Sequence, residues 1–299
     1  MTNQNHTVRP TVRIGPAGWS YKDWEGIVYP PHGSRFDPLA YLAQYFDTIE
    51  INSPFYRIPP PNHAKSWTRR VARNRNFKFT TKIYRGFTHE AASLAPADVK
   101  AFRNYLDPLA SANALGAVLL QFPWSFRNTP EARVKLVDLF DAFREYPKAL
   151  EVRHATFQDD AFFAFLDEQD VAWVNVDQPL FSDSVKPADT VTGPLAYARL
   201  HGRNYEKWFA HAESWERYNY LYSKEELEPW VGRIGEMARA KETYVITNNH
   251  FRGQAIINAV DLKTALGLEA KLPGTLGDPS QANVSSQSDS PTPRLKKPK

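Results

Sequence analysis

Several short stretches of this 299-residue chain carry a polar or charged side chain at every second position. At that spacing, residues of a β-strand share one face. Glu50 goes with Asn52, Lys78 with Thr80 and Lys82, Glu151 with Arg153, and Asn175 with Asp177. Arg199 goes with His201 and Arg203, and Thr247 with Asn249, leaving Asn248 and His250 on the opposite parity. The alternate positions, such as Ile49, Ile51, Leu150, Val152, Val174, Val176 and Leu200, are apolar. Acids and bases sharing one face are suited to proton transfer, so Glu50, Glu151, Asp177 and His201 are the candidate catalytic groups. Arg153 beside Glu151 should hold that acid ionised, which makes Glu50 or His201 the better proton carrier. Lys82 is either a further ion-pair partner or, on the right scaffold, a Schiff-base amine.

The sharpest local motif is Arg199-Leu200-His201-Gly202-Arg203-Asn204. Its glycine lets backbone approach a ligand, and its guanidinium groups match the geometry of phosphate or carboxylate. A second segment, Asn248-Asn249-His250-Phe251-Arg252-Gly253-Gln254-Ala255, leaves the last strand and enters the last helix. Together they predict an anion site at the strand-seven and strand-eight corner, built from Arg203, Asn204, Asn248, Asn249, Gly253 and Gln254. The competing expectation is that Arg203 and Asn248 only tie loops together. Aromatic residues in the loops, among them Trp19, Tyr21, Trp24, Tyr56, Trp124, Tyr205, Trp208, Tyr218, Tyr220 and Tyr222, either cap the structure or stack on a flat ligand. Asn52, Gln121, Arg153 and Arg199 complete the expected binding set.

Three chemistries follow from these residues. An enzyme acting on a small anionic or phosphorylated substrate by acid/base catalysis fits them best. A metal-dependent hydrolase or isomerase would draw its divalent ligands from Glu50, Glu151, Asp177, His154, His201 and His250, but no His-x-His pair or helical His spacing defines a set, so no cofactor is predicted. A barrel that binds a ligand or nucleic acid without catalysis is the third. A glycosidase needs two carboxylates flanking the scissile bond, and Glu50 and Glu151 both have basic neighbours.

These side chains need elements to hold them. Eight β-rich runs are expected at Val12–Gly15, Thr48–Phe55, Phe77–Tyr84, Ala117–Phe122, Ala149–His154, Ala172–Asp177, Ala196–His201 and Thr243–Asn249. Helical spacing appears from Asp37-Pro38 through Phe46, then over Pro61–Ala72, Ala97–Ala112, Pro130–Phe143, Phe157–Leu166 and Gln254–Leu266. Ser223 with Glu226 forms a capping box ahead of Leu227, Trp230 and Ile234. Pro179–Thr192 has a poor helical pattern. Strands alternating with helices build a parallel sheet, and eight units in about 250 residues close it into a (β/α)8 barrel. The polar face then points inward, toward the C-terminal mouth where barrel enzymes keep their chemistry.

Composition bounds the rest. With 42% apolar residues the chain can bury a large core, and with no cysteine it has neither disulfides nor thiolate metal sites. No leader-like or membrane-spanning run appears, which predicts a cytoplasmic protein without membrane contact. Of the net charge of +4, three units come from Lys271, Arg294, Lys296, Lys297 and Lys299 set against Asp278 and Asp289. The folded part is therefore nearly neutral, which argues against a broad nucleic-acid footprint and leaves at most weak contact through the tail. Residues 1–11 are expected to be flexible, 12–270 to form one barrel domain, and 271–299 to be a disordered basic tail rich in Ser and Pro.

The ordered motifs resemble a known family. Gly18-Trp19-Ser20-Tyr21 with Trp24 and Tyr29-Pro30, Glu50-Ile51-Asn52-Ser53 before Phe55-Tyr56, Leu119-Leu120-Gln121-Phe122-Pro123, Glu151-Val152-Arg153-His154, and the two segments above are similar to those of the YecE-like proteins, domain-of-unknown-function family 72. The resemblance spans about Arg13 to Leu268. It implies a barrel of the triose-phosphate-isomerase type and implies no reaction.

Overall fold

The computed structural model describes residues 11–277, except 32, 91–93, 211 and 214. Eight strands alternate with helices as expected: β1 (Thr11–Pro16), α1 (Pro38–Leu42), β2 (Thr48–Ile51), α2 (Pro61–Val71), β3 (Lys78–Lys82), a single turn α3 (Arg85–Thr88), α4 (Pro96–Ser111), β4 (Leu115–Gln121), α5 (Pro130–Ala142), β5 (Lys148–Glu151), α6 (Asp160–Glu168), β6 (Val171–Asp177), β7 (Ala196–Leu200), α7 (Lys224–Met237), β8 (Glu242–Thr247) and α8 (Gln254–Ala265). All neighbouring strands pair in parallel, in the order β1-β8-β7-β6-β5-β4-β3-β2. The ring closes between β1 and β2 through the Ala17–Glu50 bridge, where Gly18 N donates to the Glu50 carbonyl at 2.8 Å. Gly15 is required at this seam, because a Cβ there would lie 1.9 Å from the Thr48 carbonyl oxygen. The protein is a TIM-type barrel.

Local sequence explains the helix starts. Asp37 caps α1 by accepting from Ala40 N at 3.0 Å, with Pro38 in the first turn. Thr129 and Asp159 cap α5 and α6 in the same way. Ser223 and Glu226 form the predicted capping box of α7. The segment between β6 and β7 has no helix. Side chains cover that flank instead: Thr192 Oγ1 accepts from Trp173 N and donates to the Val171 carbonyl, and Asn175 bonds both the N–H and the carbonyl of Thr190.

Two apolar clusters divide the interior. The larger lies between the sheet and the helices; the smaller fills the barrel itself with Ala117, Leu119, Ala149, Ala172, Val174, Val176, Tyr197, Tyr244 and Ile246. That inner list corrects the parity of two strands. Val174 and Val176 of β6 point in, so Asn175 and Asp177 point out. Tyr244 and Ile246 of β8 point in, so Asn248 and His250 follow them, and Thr247 and Asn249 face away. Both faces of a barrel strand are buried, and polarity alone does not tell them apart.

Residues 271–277, assigned to the tail on sequence, include a packed turn. Leu272 and Leu276 lie against the core, and Gly274 N donates to Tyr41 Oη at 2.8 Å. The expectations for 1–10 and 278–299 fall outside the described residues. No helix among the described residues is long and apolar enough to cross a membrane.

Candidate functional site

A cavity of about 1180 Å³ opens at the C-terminal mouth of the barrel, directly above the inner apolar cluster. Its floor is formed by strand ends: Asn52 after β2, Lys82 of β3, Gln121 of β4, Arg153 after β5, Gln178 after β6, Arg199 of β7 and His201 just after it, and Asn248 and His250 after β8. Loops raise its walls with Tyr21, Phe55, Tyr56, Trp124, Trp208, Phe209, Trp215, Tyr218 and Phe251. The tyrosine and histidine at the β1 and β8 loops are stacked, Tyr21 on His250, with centroids 4.4 Å apart. On another side Trp208 sits between two guanidinium groups, 6.0 Å from Arg153 and 5.3 Å from Arg217.

Beneath this floor lies a charged centre contributed by three distant strands. Arg199 donates to Glu50 Oε1 and Glu151 Oε2, each at 2.6 Å, and Tyr197 Oη donates to Glu50 Oε2 at 3.0 Å. Both carboxylates are fully buried. Arg153 pairs with the other Glu151 oxygen and also donates to Gln178. Burial pushes the Glu151 carboxyl up, but Arg153, Arg199 and His201 outweigh it and hold the group well below its usual range. His201 is pushed well down by burial and by Arg153 and Arg199, so its ring is neutral. Its Nε2 lies 3.0 Å from Arg153 and its Nδ1 2.9 Å from Asn248.

Lys82 differs from the other cations. Among the described residues it makes no ion pair: its amine donates to Gln121 Oε1 at 2.8 Å and lies 4.1 Å from the Phe55 ring centre. Burial, followed by the repulsion of Arg199, lowers its pKa to about 8. His250 and His89 are lowered to about 4, in both cases chiefly by burial.

The cavity gathers Tyr21, Asn52, Tyr56, Lys82, Gln121, Arg153, Arg199, His201 and Asn248 from the expected set, with Glu50 and Glu151 below them. The others lie elsewhere. Asp177 faces α7, where it accepts from Arg203 at 2.9 and 2.7 Å, Tyr222 Oη at 2.7 Å and Trp230 Nε1 at 2.6 Å. It is thus saturated by donors outside the barrel, and Arg203 is spent on it. Asn204 ties to the Glu216 and Asn219 carbonyls, Gln254 to Asn219 Oδ1, and Asn249 to the Tyr220 carbonyl and Asn258. Gly253 takes a left-handed turn against Val28. Asn248 apart, the predicted corner is therefore a loop brace, and among the described residues the unpartnered side-chain donors at the cavity are Gln178 Nε2, Arg199 Nε and Arg217 Nε. Trp24 is buried, with Nε1 on the His250 carbonyl at 2.7 Å, and Trp19 packs on Trp67 and Phe79.

Several cavity residues were absent from the sequence-based set, among them Phe55, His89, Gln178 and Arg217. Correct parity would have found Gln178, two positions beyond Val176, and would have placed His250 inside. Arg217 lies in a loop with no motif to flag it. His154 faces away from the cavity onto Arg127 and Thr156. Among the described residues, no three His, Asp or Glu side chains gather in a group able to hold a metal ion.

A closed parallel barrel with a charged, aromatic-walled mouth has the architecture of the TIM-type enzymes and binding proteins. Within that class the chain belongs to the family described as "Protein of unknown function DUF72", whose model matches residues 13–283. It is 27% identical over 276 residues to the UPF0759 protein YunF of Bacillus subtilis (strain 168), covering 86% of this chain and 95% of that one. It is 28% identical over 148 residues to the UPF0759 protein YecE of Escherichia coli (strain K12), covering about half of each. A solved DUF72 family protein of Thermotoga maritima MSB8 shares 34% identity and a TM-score of 0.75, covering 86% of this chain and 99% of that one.

Proposed function

We propose that the barrel mouth binds a small anionic or phosphorylated substrate and acts on it by proton transfer. One observation carries this reading: besides Lys22, four cationic side chains line the cavity, Lys82, Arg153, Arg199 and Arg217, and among the described residues Glu50 and Glu151 are the carboxylates that answer them from below. Lys22 and Asp23 offset each other at the rim. The surplus positive charge sits in a recess whose low dielectric strengthens its pull on an anion. Among the described residues, Gln178 Nε2 and Arg217 Nε are buried donors without hydrogen-bond partners, and an anionic group would satisfy them. The aromatic walls suit a flat or apolar remainder of the same ligand.

The division of labour differs from the sequence-based expectation. Glu50 and Glu151 are locked by Arg199 and are poorly placed to carry protons. Lys82 faces the cavity with a pKa of about 8 and takes that role, while neutral His201 and Asn248 orient the ligand. A thermal-shift screen tests the proposal, using inorganic phosphate, sugar phosphates and small carboxylic acids beside their uncharged counterparts. A ligand at 100 times its Kd stabilises by about 2.7 kcal/mol, a shift of several degrees. Anions should give such shifts, and Arg153→Gln should abolish them. Equal shifts from the uncharged counterparts would overturn the reading.

A further inference from the structure

One group in the cavity has a setting that does more than proton transfer requires. Lys82 is the terminal inward residue of β3, its amine is bonded among the described residues only to a neutral amide oxygen, and an aromatic face covers it. Both nearby carboxylates are engaged elsewhere, Glu50 by Arg199 and Tyr197, Glu151 by Arg199 and Arg153. An amine kept from carboxylates, partly desolvated and set beside guanidinium groups is an amine disposed to react as a nucleophile. The same guanidinium groups would hold a negative charge a short distance from it.

We infer that Lys82 forms an imine with the carbonyl carbon of an anionic aldehyde or ketone bound in the barrel mouth. The inference rests on the anion site proposed above and gives Lys82 a covalent role there. The neutral amine adds its lone pair to the carbonyl carbon, and one N–H hydrogen passes to the oxygen to give a carbinolamine. The second N–H hydrogen leaves with that oxygen as water, and the C=N double bond replaces C=O. No oxidant or reductant is consumed. Hydrolysis by the reverse path returns the amine. The shift of the Lys82 amine to about 8 supplies a useful fraction of neutral amine near neutral pH. Protonation of the imine nitrogen then makes the bound carbon an electron sink, so the class of substrate is an acidic or phosphorylated carbonyl compound whose neighbouring C–H or C–C bond can be broken.

The test is reductive trapping on the full chain with pyridoxal 5′-phosphate as an anionic aldehyde probe and borohydride as reductant. Peptide mass analysis should find one reduced adduct, on Lys82, with the other lysines labelled far more slowly. Inorganic phosphate should protect, and uncharged pyridoxal should label Lys82 about tenfold more slowly. Lys82→Arg should lose the adduct while its melting temperature confirms folding; the wild-type peptide map locates the adduct even if that variant fails to fold. If phosphate binds by thermal shift but Lys82 reacts no faster than surface lysines, the imine is overturned and the anion site stands. If pyridoxal labels Lys82 as fast as its phosphate ester and phosphate does not protect, Lys82 is a nucleophile without an anion site, and both the substrate class and the reading beneath it fall.

Discussion

Glu151 and Asp177 are both fully buried, and both are paired with arginine, yet they belong to opposite sides of the sheet. Asp177, outside the barrel, accepts from Arg203, Tyr222 and Trp230 and has no capacity to spare. Glu151, inside, has one oxygen that accepts no well-aligned hydrogen bond, although Arg153 and His201 lie in ion-pair range of it. Its arginine partners line an open cavity. A saturated ion pair between helix and sheet acts as a brace. An incompletely satisfied one under an open recess keeps interaction capacity for a ligand. The difference between the two regions is one of coordination, and residue type alone does not reveal it.

Breaking each pair should separate the two roles. The largest effect is expected from Arg199→Met, which removes the ion-pair partner of buried Glu50 and leaves buried Glu151 with Arg153 alone. Urea denaturation at pH 7 should show a loss of about 3–5 kcal/mol, and the anion-induced thermal shift should disappear. Part of that loss should be regained as pH falls, because Glu151 without Arg199 is less strongly held ionised than in the native protein. In the native protein the sign is opposite: the lowered Glu151 pKa gives stability that is present above its unfolded value and is lost as pH falls through the folded one.

Asp177→Asn should cost less, about 1–3 kcal/mol, because Arg203 is partly exposed and water can take up its charge. Anion-induced shifts should persist in this variant. Their loss would erase the distinction between brace and site. The smallest effect separates Lys82 from an ordinary surface amine. With a pKa of about 8, its reductive labelling rate should rise about tenfold from pH 7 to pH 9 and then level off, as the neutral fraction saturates. An amine at the ordinary lysine value would still be climbing there. Burial sets this midpoint first, and after it the charges of Arg199, Glu50, Glu151 and Arg153, so Arg199→Met should move it as well.

Much of the scaffold was legible in the sequence because local rules and the global fold agree. Ile49 and Ile51 flank Glu50, and the strand buries both isoleucines against helices. Ser223 and Glu226 announce the start of α7, and Pro179–Thr192 lacks helical spacing where no helix forms. Parity failed on β6 and β8 for a physical reason. The lower half of the barrel needs bulk, so Val174 and Val176 fill it, and outward Asn175 and Asp177 meet partners from Thr190, Arg203 and Tyr222. Those partners lie between 15 and 45 residues away or belong to segments without periodicity, where spacing carries no signal. The cavity's position at the strand ends followed from fold class. Which guanidinium groups remain free there depends on pairings visible only in three dimensions.

The bond from Arg199 to Glu50 joins residues 149 positions apart in the chain. A nascent chain that has completed its first four βα units holds Glu50 but not yet its counter-ion, so a half-barrel collapsed at that stage would bury an unpaired acid. The cost of doing so disfavours stable half-barrels and couples the assembly of the two halves. The same bond that sets the electrostatics of the mouth thus makes closure of the ring the step on which productive folding depends.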